Sequence, residues 1–199
     1  MVLVGNLQQK LGKKIMKAIY NLPNNYKLIK KIDFNKKRYL ISFNLFVIIC
    51  SLLIFELFKL DICPLFTLKS LIFFALGIYI SIFLHELIHG FFIWLFSKKK
   101  ATYKFSVFYA SAGASDRYFD KASYIIIALA PVIFLSILII VLINFIFIEY
   151  YNSLVLILAL TFSGAIGDFY ISIVALMYPQ NTYINDEGEK MNIFIQSTH

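Results

Sequence analysis

The stretch SIFLHELIHGFFIWLF, residues 81–96, decides how the rest of the chain is interpreted. It is almost wholly apolar, as a segment that crosses a bilayer should be, yet it carries His85, Glu86 and His89 near its middle. Ionisable groups deep in a membrane helix are rare, because the hydrocarbon core does not solvate them. Where they occur, they usually face the interior of a helix bundle and mark function.

The composition is that of an integral membrane protein. Of the 199 residues, 60% are hydrophobic and only 15% are charged, so no large soluble domain is expected. A helix needs about 20 apolar residues to cross the ~30 Å hydrocarbon core. Stretches of this kind lie at about residues 40–58, 70–96, 123–148 and 153–177. We therefore predict an all-α integral membrane protein, with a four-transmembrane-helix bundle over residues 40–178.

The net charge of +8 is unevenly distributed along the chain. Most lysines and arginines precede the first predicted span or lie between the second and the third. Positive charge stays on the untranslocated side of a membrane, so we predict a multi-pass protein of the cell membrane with both termini in the cytoplasm. The basic excess indicates anionic lipid headgroups as a partner and argues against nucleic acid. No particular oligomeric state is predicted.

Two polar segments flank the predicted bundle. In residues 1–39, Leu7, Leu11, Ile15 and Ile19 repeat at helical spacing opposite a row of lysines. This pattern predicts a basic amphipathic helix on the inner membrane surface, although a helix that docks onto a partner would show the same pattern. Residues 179–199 are predicted to form a polar cytoplasmic tail.

His85 and His89 are four residues apart, so on a helix they project from one face about one turn apart. That spacing lets both imidazoles bind one zinc ion. Glu86 lies beside them, where its carboxylate can take a proton from water that the metal has made more acidic. The arrangement suits metal-assisted hydrolysis of a peptide bond. The alternative is structural: the histidines hydrogen-bond to neighbouring helices, and the glutamate is neutral or paired.

A catalytic zinc site also needs a third protein ligand and an open fourth position. Asp168 is the strongest candidate, because it lies well inside the fourth predicted span. His85 lies 11 residues before the end of its span and Asp168 lies 9, so the two are within roughly 3 Å of the same depth. Gly164 and Gly167 are expected to let the two helices come close. Without zinc, Asp168 would be a polar contact between helices or a residue in a water-filled groove.

The connection between the second and third spans begins with alternating residues. In ATYKFSVFYASAGAS, residues 101–115, Tyr103, Phe105 and Val107 alternate with polar residues before the sequence turns to small ones. Such alternation predicts a short cytoplasmic strand or β-hairpin. It could simply pack on the inner face of the bundle.

These motifs resemble the putative zincin peptidase family of small bacterial membrane proteins and, more distantly, the site-2 proteases that cut substrates within the membrane. The resemblance covers roughly residues 70–178 and rests on HELIHG (85–90), ALAP (128–131) and GDFYI (167–171). It implies that His85, His89 and Asp168 hold Zn2+ and that Glu86 activates water. The chain departs from the site-2 proteases around Asp168, because a glycine precedes the aspartate in place of an Asn-x-x-Pro-Gly or Leu-Asp-Gly signature.

The more distant resemblance also gives the predicted strand a role. In site-2 proteases a strand near the active site is thought to pair with an extended substrate, which implies the same for the hairpin of this chain. Such pairing would expose a peptide bond that a helix keeps hidden.

Pro131, at the end of ALAP, is expected to kink the third span and to widen access to the site.

Three functions are open at this point. The first is a membrane-embedded zinc metallopeptidase that hydrolyses peptide bonds of membrane-associated proteins or peptides. The second is a non-catalytic zincin-like membrane protein with a binding, immunity or regulatory role. The third is a metal or ion carrier, which is disfavoured because the sequence has no inverted repeat and no second polar helix. Replacement of Glu86 separates the first two, since only the enzyme needs its carboxylate.

Overall fold

The computed structural model describes residues 18–34, 36–57, 59, 67–105, 110–145 and 148–197. Its helices are α1 (Lys37–Leu57), α2 (Leu68–Ser97), α3 (Lys121–Phe145), α4 (Tyr151–Gly164) and α5 (Ile166–Leu176), with a short 3-10 helix at Ile148–Tyr150. Its strands are β1 (Ala18–Ile19), β2 (Tyr26–Asp33), β3 (Thr102–Phe105), β4 (Ala110–Gly113), β5 (Tyr118–Asp120), β6 (Tyr183–Asp186) and β7 (Lys190–Gln196).

Among the residues that the structure describes, three helical stretches are long and apolar enough to cross a membrane. They are α2, α3 and the 26-residue stretch Tyr151–Leu176, in which a turn at Ala165 separates α4 from α5. The apolar part of α1, Ile41–Leu57, has 17 residues and is shorter than a full crossing within the described part of the chain. The second, third and fourth predicted spans therefore correspond to observed helices, and the first span stays a prediction.

The all-α prediction needs a correction, because a five-stranded antiparallel sheet accompanies the helices. Its strand order is β1-β5-β6-β7-β2. β7 pairs with β6 on one side and with β2 on the other, so the segment expected to be a polar tail contains two strands of a sheet. Ile19, the last residue of the expected amphipathic helix, lies in β1, and the rest of that helix falls outside the described residues.

The sheet forms because alternate apolar side chains of its strands are buried against one end of the helix bundle. This shared core joins the sheet to the last turns of α2 and α5. It lies at the end of the bundle that the charge distribution predicts to be cytoplasmic. Its most deeply buried members are Ile32, Phe119, Ile184, Met191 and Ile193 of the sheet and Ile93, Val174 and Ala175 of the helices.

Lys121, the first residue of α3, ties that helix to the end of α5. Its Nζ donates to the carbonyl oxygens of Tyr178, at 2.6 Å, and Leu176, at 3.3 Å. The last carbonyls of a helix lack helical partners and carry partial negative charge, so a buried ammonium is favourable there. Asp120 caps the start of α3 by accepting a hydrogen bond from the Ser123 N–H at 3.0 Å. These contacts fix α3 and α5 relative to each other.

β3 and β4 form a separate antiparallel pair, where the alternation after residue 101 predicted a hairpin. The pair packs against the turn between β6 and β7. A Cβ at Gly113 of β4 would overlap the backbone of Gly188 in that turn. Gly188 has a φ of +88°, which glycine adopts without strain. The hairpin and the turn are therefore in backbone contact.

Candidate metal centre

His85, His89 and Asp168 meet inside the bundle, where α2 faces the first turn of α5. His85 Nε2 lies 3.1 Å from Asp168 Oδ2, and His89 Nε2 lies 3.4 Å from Asp168 Oδ1. The two Nε2 atoms are 3.1 Å apart. Among the residues that the structure describes, these three form a group that could hold a metal ion, with one ligand atom from each residue within 4.8 Å of the others. His85 and Asp168, which are predicted to lie within roughly 3 Å of the same depth, are in direct contact.

Asp168 reaches the histidines because the last span is broken into two helices. The turn at Ala165 ends α4, α5 begins at Ile166, and Asp168 falls in the first turn of the new helix. The first N–H groups of a helix lack helical partners, and the helix dipole is positive there, so a carboxylate is favourable at this position. The break thus places an acidic side chain in the middle of a long apolar helical stretch, at a position where the backbone stabilises it.

The prediction that Gly164 and Gly167 bring two helices into close contact is wrong. A Cβ added at Gly164 would meet no atom of the described residues within 4 Å, and one at Gly167 would make an ordinary contact of 3.9 Å with Phe43 of α1. Both glycines line the cavity beside Asp168. They leave open space next to the candidate ligands, because a hydrogen atom takes the place of a side chain.

A backbone carbonyl sets the orientation of the His89 ring. His89 Nδ1 lies 2.9 Å from the carbonyl oxygen of Ile127 in α3. A carbonyl can only accept a hydrogen bond, so we assign the proton to Nδ1, and Nε2 of the neutral ring then carries a lone pair. That lone pair faces His85 Nε2 and the carboxylate of Asp168.

A positive charge between the three facing groups would stabilise them, whether it comes from a metal ion or from a protonated imidazole. With both rings neutral, at most one proton lies there, on His85 Nε2, and it cannot fully satisfy both Asp168 and the His89 lone pair. A metal ion bonded to all three residues can. Two imidazole nitrogens and a carboxylate oxygen are a donor set typical of catalytic zinc. Two nitrogens bonded to one tetrahedral zinc ion are about 3.3 Å apart. The observed Nε2–Nε2 distance of 3.1 Å is close to that value.

Glu86 lies beside the candidate ligands and lines the same cavity. Glu86 is only 7% exposed. Its Oε2 atom has no hydrogen-bond partner among the residues that the structure describes. A buried carboxylate oxygen without a partner costs free energy, because water can no longer solvate it. Most buried polar atoms in proteins are paired, so an unpaired one calls for an explanation such as a catalytic role.

The site opens into a cavity of about 220 Å³, which is large enough for several water molecules. Two groups of residues form most of its lining. The helical wall consists of His85, Glu86, His89, Tyr124, Ile127 and Asp168. The strand wall consists of Ala110, Ser111 and Ala112 of β4 and of Asp186, Gly188 and Glu189 at the turn between β6 and β7.

Sequence reasoning missed Tyr124 and Asp186, which join the two walls. The hydroxyl of Tyr124 donates to Asp186 Oδ2 at 2.6 Å, and the Gly188 N–H donates to Asp186 Oδ1 at 2.7 Å. Burial raises the pKa of Asp186, and the hydrogen bond from Tyr124 acts in the opposite direction. A signal was present: a turn sequence, Asp-Glu-Gly, precedes the alternating residues Met191 and Ile193, which together indicate a hairpin.

The hairpin of β3 and β4 also touches the motif helix directly. Gly90 follows His89, and a Cβ at Gly90 would overlap the hydroxyl of Tyr103 in β3. Burial and the nearby negative charge of Glu86 raise the pKa of Tyr103. The glycine of HELIHG therefore makes room for the hairpin next to the site.

Comparison with known proteins agrees with the motifs. A family model described as "Putative zincin peptidase" matches residues 78–183, which is more than half of the chain. The matched region contains all three candidate ligands and Glu86, and it ends before Asp186. No curated protein and no solved structure matches the chain. The resemblance to this family is thus confirmed, and the chain belongs to the putative zincin peptidase family.

Proposed function

We propose that the protein is a membrane-embedded zinc metallopeptidase that hydrolyses peptide bonds of membrane-associated proteins or peptides. The observation that carries the proposal is the buried Glu86 carboxylate, which lies beside three candidate metal ligands and whose Oε2 lacks a partner in the described structure. Membership of the family supports metallopeptidase chemistry. A metal held only for structure would give no reason to keep an unpaired carboxylate oxygen next to it.

The chain's own residues can take the roles that such a reaction needs. His85, His89 and Asp168 would hold zinc, which when bound supplies a Lewis acid that polarises the scissile carbonyl and makes water more acidic. Glu86 accepts one proton from the attacking water and returns it to the leaving amine nitrogen as the C–N bond breaks. The hydroxyl of the water stays on the carbonyl carbon, so the products are a carboxylic acid and an amine.

The proposed setting is a bacterial cell membrane with both termini in the cytoplasm. Apolar helices on both sides of the site support burial in the bilayer, since α2 and the stretch containing α5 are each long enough to cross it. Lys27 and Lys31 are exposed on β2. Their charge supports the orientation, because basic residues stay on the cytoplasmic side, where they attract anionic lipid headgroups.

The proposed substrate is an extended segment of a membrane-associated protein or peptide. Ala110, Ser111 and Ala112 of β4 line the cavity that contains Glu86. Their small side chains leave space for a chain lying along the strand, and strand addition exposes a backbone that a helix would keep hydrogen-bonded. The hairpin would therefore present the scissile bond to the helical wall.

The test compares the wild-type protein with Glu86→Gln, a substitution that keeps the size of the side chain and removes its ability to accept the proton. Each purified protein is reconstituted into vesicles with solubilised bacterial membrane proteins, and new N-termini are identified by mass spectrometry. We expect new termini with the wild type and none with the variant, while both proteins bind about one zinc ion per chain.

A metal-free sample of the wild type is the control, and it should produce no new termini. New termini with Glu86→Gln would exclude Glu86 as the base. Zinc in both proteins without cleavage by either would favour a non-catalytic zincin-like binding protein. Absence of zinc from both would remove the proposed metal site itself.

A further inference from the structure

The carbonyl that orients His89 belongs to an unusual position in its helix. Pro131 is fully buried in the interior of α3, and the carbonyl four residues before it is that of Ile127. In an α-helix the N–H of a residue donates to the carbonyl four residues earlier. Proline has no N–H, so residue 131 cannot donate to Ile127 O.

The missing helical bond is replaced by a bond from another helix. His89 Nδ1 of α2 lies 2.9 Å from Ile127 O, as a hydrogen bond requires. The proline ring also crowds the carbonyl four residues earlier, which turns that carbonyl away from the helix axis. A buried carbonyl without a partner costs free energy, so the oxygen left unpaired by Pro131 is a strong acceptor for a neighbouring ring N–H.

The same bond determines what the other side of the ring can do. A histidine that binds a metal through one nitrogen usually donates its second N–H to a carbonyl or carboxylate, which fixes the tautomer and the ring direction. Here the donation from Nδ1 leaves Nε2 as a lone pair, and Nε2 lies 3.1 Å from His85 Nε2 and 3.4 Å from Asp168 Oδ1.

We propose that Pro131 is a positioning residue for the metal site: by removing one amide N–H from α3, it reserves the Ile127 carbonyl for His89. The role of His89 as a ligand rests on the proposed function, whereas the fixing of its tautomer does not need a metal. The kink expected of a proline inside a helix would be a separate effect of the same residue. The inference is that the missing N–H, rather than the shape of the proline ring, matters to His89.

The experiment restores the N–H and then removes it again by another route. Pro131→Ala gives residue 131 an amide that can bond to Ile127 O. Lactic acid at position 131, introduced by nonsense suppression, has the side chain of alanine and an ester oxygen in place of the N–H. Ser136→Ala is the matched control, because it changes another buried position of α3 and leaves residue 131 untouched.

Two properties of the full-length protein are measured. The first is the zinc dissociation constant, by competition with a chelator. The second is the tautomer of His89 in the metal-free protein, from 15N NMR of labelled histidines, of which the chain has three. For Pro131→Ala we expect zinc binding weaker by about 10–100-fold and a loss of the pure Nδ1–H tautomer. The lactic acid variant and Ser136→Ala should resemble the wild type.

Zinc binding within about twofold of the wild type in Pro131→Ala, with His89 still wholly Nδ1-protonated, would overturn the inference. A lactic acid variant as impaired as Pro131→Ala would also overturn it, since the ring shape and not the absent N–H would then be responsible. If the wild type binds no zinc, the proposed function fails, and the tautomer of His89 in the metal-free proteins still decides the role of Pro131.

Discussion

The two walls of the cavity contribute different things. The helical wall carries the groups that can bind a metal or move a proton, and it stands on long apolar helices. The strand wall carries small side chains, a glycine turn and a partly buried carboxylate, on short strands that pair across the chain. The comparison indicates that the helices position the chemistry and the strands enclose it.

Substitutions in the two walls should also have different effects on metal binding and on the enclosure of the cavity. Loss of a ligand from the helical wall should remove the metal and leave the fold. Damage to the strand wall should disturb the enclosure and leave the metal. Tyr124 bridges the two, because it stands on α3 and donates to Asp186 of β6. Substitutions in each part can therefore separate chemistry from enclosure.

The largest effect is expected from Asp168→Ala, which breaks the helical wall. It removes one of the three candidate ligand residues, and even the loss of an outer partner of a ligand costs about 10–100-fold in metal affinity. We expect zinc per chain to fall from about one to nearly none after dialysis against a weak chelator. Metal analysis of the purified proteins checks this.

Asp116→Ala is the matched control for that measurement. Asp116 is exposed at a turn after β4 and pairs with Lys99 and Arg117, away from the cavity. It should keep its zinc. Equal zinc in the two variants would mean that the third ligand is not Asp168.

A smaller effect is expected from Gly113→Ala, which disturbs the packing of the strand wall and leaves the helical wall unchanged. The added Cβ would overlap the backbone of Glu187 and Gly188, and backbone atoms cannot rotate away as a side chain can. We expect a loss of about 1–3 kcal/mol in stability, typical of overpacking, and weaker proteolysis with an unchanged zinc content. Thermal unfolding in detergent and metal analysis are the two measurements.

Gly167→Ala provides the comparison for Gly113→Ala. Its Cβ would make only an ordinary contact of 3.9 Å, and alanine is a better helix former than glycine. Its stability should be unchanged or slightly higher. If the two variants unfold at the same temperature, the contact between β4 and the turn does not stabilise the strand wall.

The smallest effect is expected from Tyr124→Phe, which removes the hydrogen bond between the two walls without adding volume. The Asp186 carboxylate loses a buried donor, which should cost about 1–2 kcal/mol near neutral pH. Burial already raises the pKa of Asp186, and loss of the Tyr124 hydrogen bond should raise it further.

The sign of the pH dependence follows from this shift. Above the pKa of the folded variant the carboxylate is ionised and the full loss is present. As the pH falls through that pKa, the folded variant takes up a proton more readily than the wild type, so the difference in stability shrinks. Unfolding temperatures of both proteins at acidic and neutral pH check this. If the difference in stability between the two proteins grew towards acidic pH, the carboxylate of Asp186 would not be the ionised acceptor of the Tyr124 hydrogen bond.

Much of the helical wall could be predicted from the sequence, because its information is local. The spacing of His85 and His89 follows from the helical repeat, and the depth of Asp168 follows from the rise per residue within an apolar span. The strand wall depends on pairing between distant segments, such as Phe119 with Ile184 and Tyr26 with Gln196. The short strands lie in segments expected to be loop or tail, and their residue pattern predicts secondary structure less clearly than the pattern of a long apolar helix does.

The glycines of the last span show a second limit of sequence reasoning. Small residues in a membrane helix are typical of close helix packing, but they are equally suited to lining a cavity. Gly164 and Gly167 do the latter, and only the neighbouring helices decide between the two. Lipid and protein interior are both apolar, so hydropathy cannot say which face of a span is buried.

The order of strands in the five-stranded sheet has a consequence for biosynthesis. Among the described strands, β2 bonds to β7 alone, although more than 150 residues of chain separate them. During translation the helices with His85, His89 and Asp168 can enter the membrane before β7, the pairing partner of β2, has been synthesised. We expect the turn containing Asp186 to close over the cavity only after β7 has been made, because β7 pairs with β6 on the other side of that turn. In a nascent chain the candidate metal ligands should thus come together before the cavity is enclosed, and the proposed proteolytic activity would come last.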